Sequence, residues 1–304
     1  MSYNHRMIGQ KIYNPVSPNP SIGGMKQYLE PPTNELAGKT LEVHLDGLPP
    51  VMIRFLDGTN LQWAKPGEAF RWEQYEAAKG DENLYLIKFL LAERSPVTHV
   101  TLVWDAVTTL VTCVLAVLGA DGAHPRLVES TAYYGAQKLP RQPLAAGRHG
   151  LTDDLVGKRI IWRYNPNDEI MHVYHGSDHL RLGDSDKVLA PDADEEARKH
   201  YQAFLDREGI YPCYEEPTYY IKLREGFYLY SVTERNINRV LPNQGGNQLL
   251  ILLNALRVRY IGRVFGYRGD GSIENDFIGG IGRFGPQPDK VESLQYPIYE
   301  QSEI

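Results

Sequence analysis

The chain has 304 residues, 42% of them hydrophobic, and a formal net charge of −6. That length holds one large domain or two ordinary ones, and the composition is globular. The acidic balance, with no run of lysines and arginines, argues against nucleic acid as a partner, because phosphate binding needs a basic surface.

Residues 1–34 carry Pro15, Pro18, Pro20, Pro31 and Pro32 among Asn, Ser and Gly, and read as an extended arm. The opening MSYNHRMIGQ lacks the apolar stretch of a signal peptide. From there the sequence repeats itself. Leu36-Ala37-Gly38-Lys39-Thr40-Leu41 returns as Leu155-Val156-Gly157-Lys158-Arg159-Ile160. Ala92-Glu93-Arg94 returns as Thr233-Glu234-Arg235, and Val117-Leu118-Gly119 as Val264-Phe265-Gly266. This spacing defines a first module over 35–148, a second over 149–285, and a tail over 286–304 that contains Pro286, Pro288 and Pro297.

Within the modules the expected elements are short strands. Asp57-Gly58 marks a hairpin turn, and Gly226 marks another before Phe227–Thr233. Thr98–Leu118 is apolar enough to suggest a membrane span, but Asp105 and the Val and Thr content make it a hairpin turning at Asp105-Ala106. The second module carries an insert after Asp192. There Ala197, Tyr201, Phe204 and Leu205 fall at helical spacing, which predicts a helix over about 194–207 at the mouth or flank of that module. Even strands without other helices predict an all-β fold, two tandem antiparallel barrels of up-and-down type.

Two cysteines, Cys113 and Cys213, form no disulfide framework, so both read as core residues of a cytoplasmic protein. The 20 tyrosines are the unusual feature, since tyrosine suits the wall of a polar-tipped cavity. Strand alternation puts Tyr228, Tyr230 and Val232 on the side of Glu234. It also groups Ile160 with Trp162 and Tyr164, and His172 with Tyr174. A buried Glu among tyrosines exchanges protons near neutral pH. Against this, Glu234-Arg235 matches Glu93-Arg94, which favours a structural ion pair on a rim. His172, His175 and His179 do not converge in a strand, so no metal is expected. Arg257, Arg259 and Arg263 form a stripe on one strand face, which usually means a solvated outer face, while an inward stripe would favour an anionic ligand, and the sequence leaves the side open. Gly279-Gly280-Ile281-Gly282 opens no helix and supports no dinucleotide loop.

These stretches carry a resemblance. Asp154–Tyr164, Tyr228–Glu234 and Gly262–Tyr267, with Leu36–Leu45 and Phe55–Gly58 in the first module, resemble the molybdenum cofactor biosynthesis protein F (MoaF) family. The resemblance implies a lipocalin-like, calycin-type barrel in each half and little about activity. The second module also resembles, more distantly, the phenolic acid decarboxylases, whose catalytic glutamate matches Glu234. Of the two tyrosines that hold their substrate carboxylate, one is retained as Tyr164 and the other is replaced by Trp162. Their catalytic arginine has no counterpart between His179 and Asp192.

The expected function is binding of a small aromatic or carbonyl-containing acid in the second barrel, with cofactor-free lyase or isomerase action as the catalytic form of that reading. Glu234, Tyr164 and His172 would carry the acid–base chemistry, and Trp162, Tyr174, Tyr228 and Tyr230 would hold the substrate. The alternatives are a non-catalytic binder of a pterin-like or aromatic metabolite, and a structural double barrel with a protein partner. No cofactor, nucleic acid or membrane partner is expected, and homo-oligomerisation is left open.

Overall fold

The computed structural model describes residues 25–285, apart from 92, 121, 123–124, 165–168, 183–194, 196–198, 200–213, 236–245 and 269–270. The first module is a closed meander of eight antiparallel strands: β1 (Thr40–Leu45), β2 (Val51–Phe55), β3 (Asn60–Ala64), β4 (Arg71–Asp81), β5 (Leu84–Leu91), β6 (Thr98–Asp105), β7 (Leu110–Leu118) and β8 (Val128–Gln137). Pairing of β1 with β8 closes it. Closure leaves no unpaired edge, and alternate side chains fill the interior with Leu41, Val43, Ile53, Phe55, Ile87 and their neighbours.

After the short β9 (Gly150–Leu151) the plan is repeated. β10 (Arg159–Arg163), β11 (Glu169–Val173), β12 (His179–Leu182), β13 (Tyr214–Arg224), β14 (Phe227–Thr233), β15 (Gln248–Asn254), β16 (Arg259–Tyr267) and β17 (Ile273–Phe284) follow in order. The β10–β17 and β12–β13 pairings complete a second eight-stranded barrel, with β9 added alongside β13. The chain is therefore an all-β double barrel. Of the helix expected over 194–207, only Glu195 and Lys199 are described. Both are helical and form an i,i+4 ion pair, and the rest of that helix lies outside the described residues.

The repeat is visible in the hydrogen bonds. Gly38 N–H donates to the Phe55 carbonyl, and Gly157 N–H donates to that of Tyr174. In both turns the lysine N–H bonds back to the leucine, so Leu36 and Leu155 close one end of each barrel. Each glycine has positive φ (78° and 81°), where a side chain would be strained. These equivalences are 119 residues apart (157 − 38, and 174 − 55). The β4–β5 and β13–β14 hairpins share an irregularity at Lys79/Asp81 and Lys222/Arg224, at an offset of 143 (222 − 79). The β6–β7 and β15–β16 turns share a positive φ at Thr109 and Val258, at an offset of 149 (258 − 109).

Those offsets correct two matches suggested by sequence. Glu234 corresponds to Leu91 (91 + 143), not to Glu93, and Leu118 corresponds to Tyr267 (118 + 149), not to Phe265. The recurrence of Glu-Arg is thus out of register, and Glu93 is exposed whereas Glu234 is fully buried. Glu234 therefore has no glutamate counterpart at the equivalent position of the first barrel.

The barrels share a seam. Leu84, Leu86, Val103 and Val114 from the outside of the first pack against Ile221, Phe227, Leu229, Leu250 and Leu252 of the second. Gly80 permits this approach, because a Cβ there would lie 2.3 Å from a Leu252 methyl. Arg263 also lies here, fully buried, bonded to Thr101 Oγ1 (3.1 Å) and to Gln248. Of the two readings of the arginine stripe, neither fits Arg263: it is on the outer face of β16, but the first barrel covers that face. Arg259 pairs with Glu30 (2.8 Å). Among the described residues no helix is long and apolar enough to cross a membrane.

Candidate functional site

The interior of the second barrel is built by alternation. On β10, Ile160 and Trp162 point inward, and Tyr164 continues the series past the strand end. On β14, Tyr228, Tyr230 and Val232 point inward, while Phe227 and Leu229 face the seam. His172 on β11 is buried, as is Tyr174 just beyond it. The β17 glycines make room for these rings. A Cβ on Gly282 would lie 2.6 Å from the Trp162 ring, and one on Gly280 would lie 2.5 Å from the Tyr260 ring. The glycine cluster seen in sequence is thus a packing device, not a phosphate loop.

His172 is the centre of a polar chain inside this aromatic shell. Its Nε2 lies 3.2 Å from the Tyr164 hydroxyl and its Nδ1 lies 3.3 Å from the Tyr230 hydroxyl. The Tyr230 and Tyr174 hydroxyls are 3.3 Å apart. A neutral imidazole has one donor and one acceptor nitrogen, so it joins two hydroxyls as donor to one and acceptor from the other. Trp162, Tyr174 and Tyr230 pack edge-to-face around the imidazole. Burial pushes the hydroxyls of Tyr174, Tyr220 and Tyr230 above the ordinary tyrosine range, so they stay protonated and donate. The Trp162 indole N–H lies close enough to Tyr174 to favour its phenolate, yet makes no hydrogen bond of normal length and angle.

The remaining expected residues occupy the two ends. Tyr228 donates to Asp154 Oδ2 (3.1 Å), which also pairs with Lys222 (2.7 Å), so its hydroxyl is engaged at the end closed by Leu155. Glu234 lies at the opposite end, held by backbone bonds to Asn247 and Gly246, with its side chain fully buried. Sequence reading missed its neighbours. Extending the Thr218–Val232 register by two residues brings buried Glu216 opposite Glu234. Asn247 crosses over Gly266 to donate to Glu274 Oε2 (3.0 Å). Only strand pairing reveals this row, because its members come from four separate strands or strand ends.

The arm before the first barrel also reaches this interior. Met25 is buried in the second barrel's core, while Lys26 pairs with Asp276 (2.7 Å) and Leu29 packs over Gly279 on the seam side. His175 and His179 are exposed and stand apart from His172, and no group of three potential metal ligands occurs among the described residues. Cys113 is buried in the first barrel, its thiol pushed up to about 12 by burial, as a packing residue requires; Cys213 lies outside the described residues.

The register makes the two interiors comparable position by position. Tyr164, His172, Tyr230 and Glu234 correspond to Leu45, Ile53, Ile87 and Leu91 (45 + 119, 53 + 119, 87 + 143, 91 + 143), all buried aliphatics of the first barrel. The same fold thus packs with hydrocarbon alone at these positions. No curated protein matches the chain. Residues 23–120, which span β1–β7, match the family model of the MoaF N-terminal domain. By that match the first barrel is similar to the MoaF N-terminal domain.

Proposed function

We propose that the second barrel binds a small aromatic, carbonyl-bearing compound and moves a proton on it as a cofactor-independent lyase or isomerase. Glu234 acts as general acid or base, and the Tyr164–His172–Tyr230–Tyr174 chain supplies donors to the developing charge. Trp162 and the tyrosine rings form the apolar wall. One observation carries this reading: four polar groups stand where the first barrel holds aliphatics, buried at a desolvation cost that packing alone does not require. Buried polar groups that the fold can do without are the expected mark of a site.

The test uses a panel of small aromatic ketones, amides and acids. Binding to the full chain is followed by thermal shift, and turnover by loss of the ligand's absorbance. A bound panel member that turns over loses about 10²–10⁴-fold in rate in Glu234→Gln, with affinity retained. Unchanged turnover in that variant removes Glu234 from the chemistry. Binding without turnover favours a carrier of an aromatic metabolite, and no binding by any member removes the site.

A further inference from the structure

The arm before the first barrel forms part of the second barrel's wall. β10 pairs with residues 281–284 of β17, while residues 273–280 pair with β16 on their other edge. Among the described residues no strand lies along the β10 side of that stretch. The arm crosses the sheet at this gap. Met25 is buried with the interior residues, whereas Leu29 packs over Gly279 with residues of the seam, so the chain passes from inside to outside between them. Gly279 permits the crossing, since a Cβ on it would lie 2.7 Å from Leu29 Cα. The Lys26–Asp276 and Glu30–Arg259 ion pairs flank it. Register sets Asp276 in the row of Val264, Leu249 and Val232, one interior layer from Glu234.

Resting on the proposal above, we infer that residues 25–30 are a gate: the ligand enters the second barrel between β10 and β17, and Met25 closes over it as part of its binding wall. The two ends of the arm are held differently. Pro31-Pro32 make a stiff, extended link. Beyond it, Thr33 N–H donates to the Ala77 carbonyl (2.8 Å), and Glu35 binds Lys79 and Tyr85 of the first barrel. Among the described residues, 25–30 make no backbone hydrogen bond to the second barrel; Leu29 N–H bonds to the Lys26 carbonyl within the arm itself. Their ties are two part-exposed ion pairs, which hold little, and the Met25 side chain, whose flexible thioether adapts to a changing neighbour. A segment anchored at one end and held by few buried contacts opens locally without unfolding the barrel. A fixed element at a sheet edge would instead continue the ladder with backbone bonds.

For the test, cinnamamide, acetophenone and benzoate are mixed with the full chain by stopped flow, with tryptophan fluorescence as the readout. In Lys26→Ala/Glu30→Ala the association and dissociation rates of a bound probe should each rise about fivefold, the loss of two exposed ion pairs at about 0.5 kcal/mol each, with the dissociation constant kept within about twofold. Met25→Ala, which keeps the ion pairs and removes the apolar wall, should instead weaken the same probe about fivefold. Opening is also read without a probe. Met25 sulfoxide formation in dilute hydrogen peroxide, followed by mass spectrometry against buried Met171, should rise in the double variant by the same factor as the rates. Unchanged rates in the double variant, with the probe still bound, overturn the gate and leave the site in place. Unchanged affinity in Met25→Ala removes Met25 from the wall and overturns the inference likewise. Failure of all three probes to bind overturns the site together with the gate.

Discussion

Replacing His172 with Ile gives the second barrel the residue that the first barrel carries at the same position, Ile53. The structure sets the size of the effect. The substitution removes two hydrogen bonds, to Tyr164 at 3.2 Å and to Tyr230 at 3.3 Å. Both are long, so each is worth about 1 kcal/mol or less net, and together about 1–2 kcal/mol. A β-branched side chain suits the strand and restores apolar contact, which offsets part of the loss. The expected change is a destabilisation of about 1–2 kcal/mol, read as a lower urea midpoint by far-ultraviolet circular dichroism with the slope unchanged. The pairwise part is isolated by a cycle with Tyr230→Phe, which keeps the ring and removes the hydroxyl. A coupling of about 0.5–1.5 kcal/mol is expected. If His172→Ile is as stable as the parent and the coupling is zero, the hydroxyls do not depend on the ring and the polar chain is not a unit.

The seam should be equally measurable. Leu252→Ala empties a fully buried position facing Gly80 and should cost about 3 kcal/mol, while residues 25–145 expressed alone should aggregate, because Leu84, Leu86, Val103 and Val114 lose their cover. A monomeric, folded first barrel would contradict this. Acid should destabilise the protein through two buried histidines. Burial depresses His149 to about 4 and His99 well below its ordinary value, so both are neutral when folded, whereas the unfolded chain takes up their protons near pH 6.5. Their contribution is therefore complete above pH 6.5 and is lost as the pH falls toward 4. For His149, titrating at about 4 when folded and near 6.5 when unfolded, this amounts to about 3 kcal/mol at most. His149→Gln should flatten the stability–pH curve over that window, and parallel curves for the two proteins would refute the assignment.

Much of the architecture is legible in the sequence because turns declare themselves locally. Gly38 and Gly157 sit at left-handed positions that favour glycine, and Asp57-Gly58 and Gly226 mark hairpins that the strands confirm. Alternation along β14 likewise put Tyr228 and Tyr230 on one face. What the sequence does not reveal is register between strands, which depends on loop length and partner. A displacement of two residues made Glu93 look like the counterpart of Glu234. It also hid the fact that the true counterpart is Leu91, and that displacement alone separated a structural reading of Glu234 from a functional one. Glu216, Asn247 and Glu274 are far apart in sequence and meet only through strand pairing, so no local pattern announces them. The arginine stripe left the face of Arg263 open. That face is the outer one and is covered by the other barrel, which a single strand's pattern cannot record.

The central claim is that the second barrel holds the site and the first supports it. The most direct measurement is the set of four indole 15N–1H resonances, from Trp63, Trp72, Trp104 and Trp162, during titration of the full chain with cinnamamide. The account predicts that the Trp162 resonance moves saturably as its unpaired N–H gains an acceptor. Trp104, whose N–H is already bonded to Gln137 (3.1 Å), Trp63 and the exposed Trp72 should stay in place. Saturable movement of Trp63 or Trp104 with Trp162 unmoved would put the site in the first barrel and contradict the account.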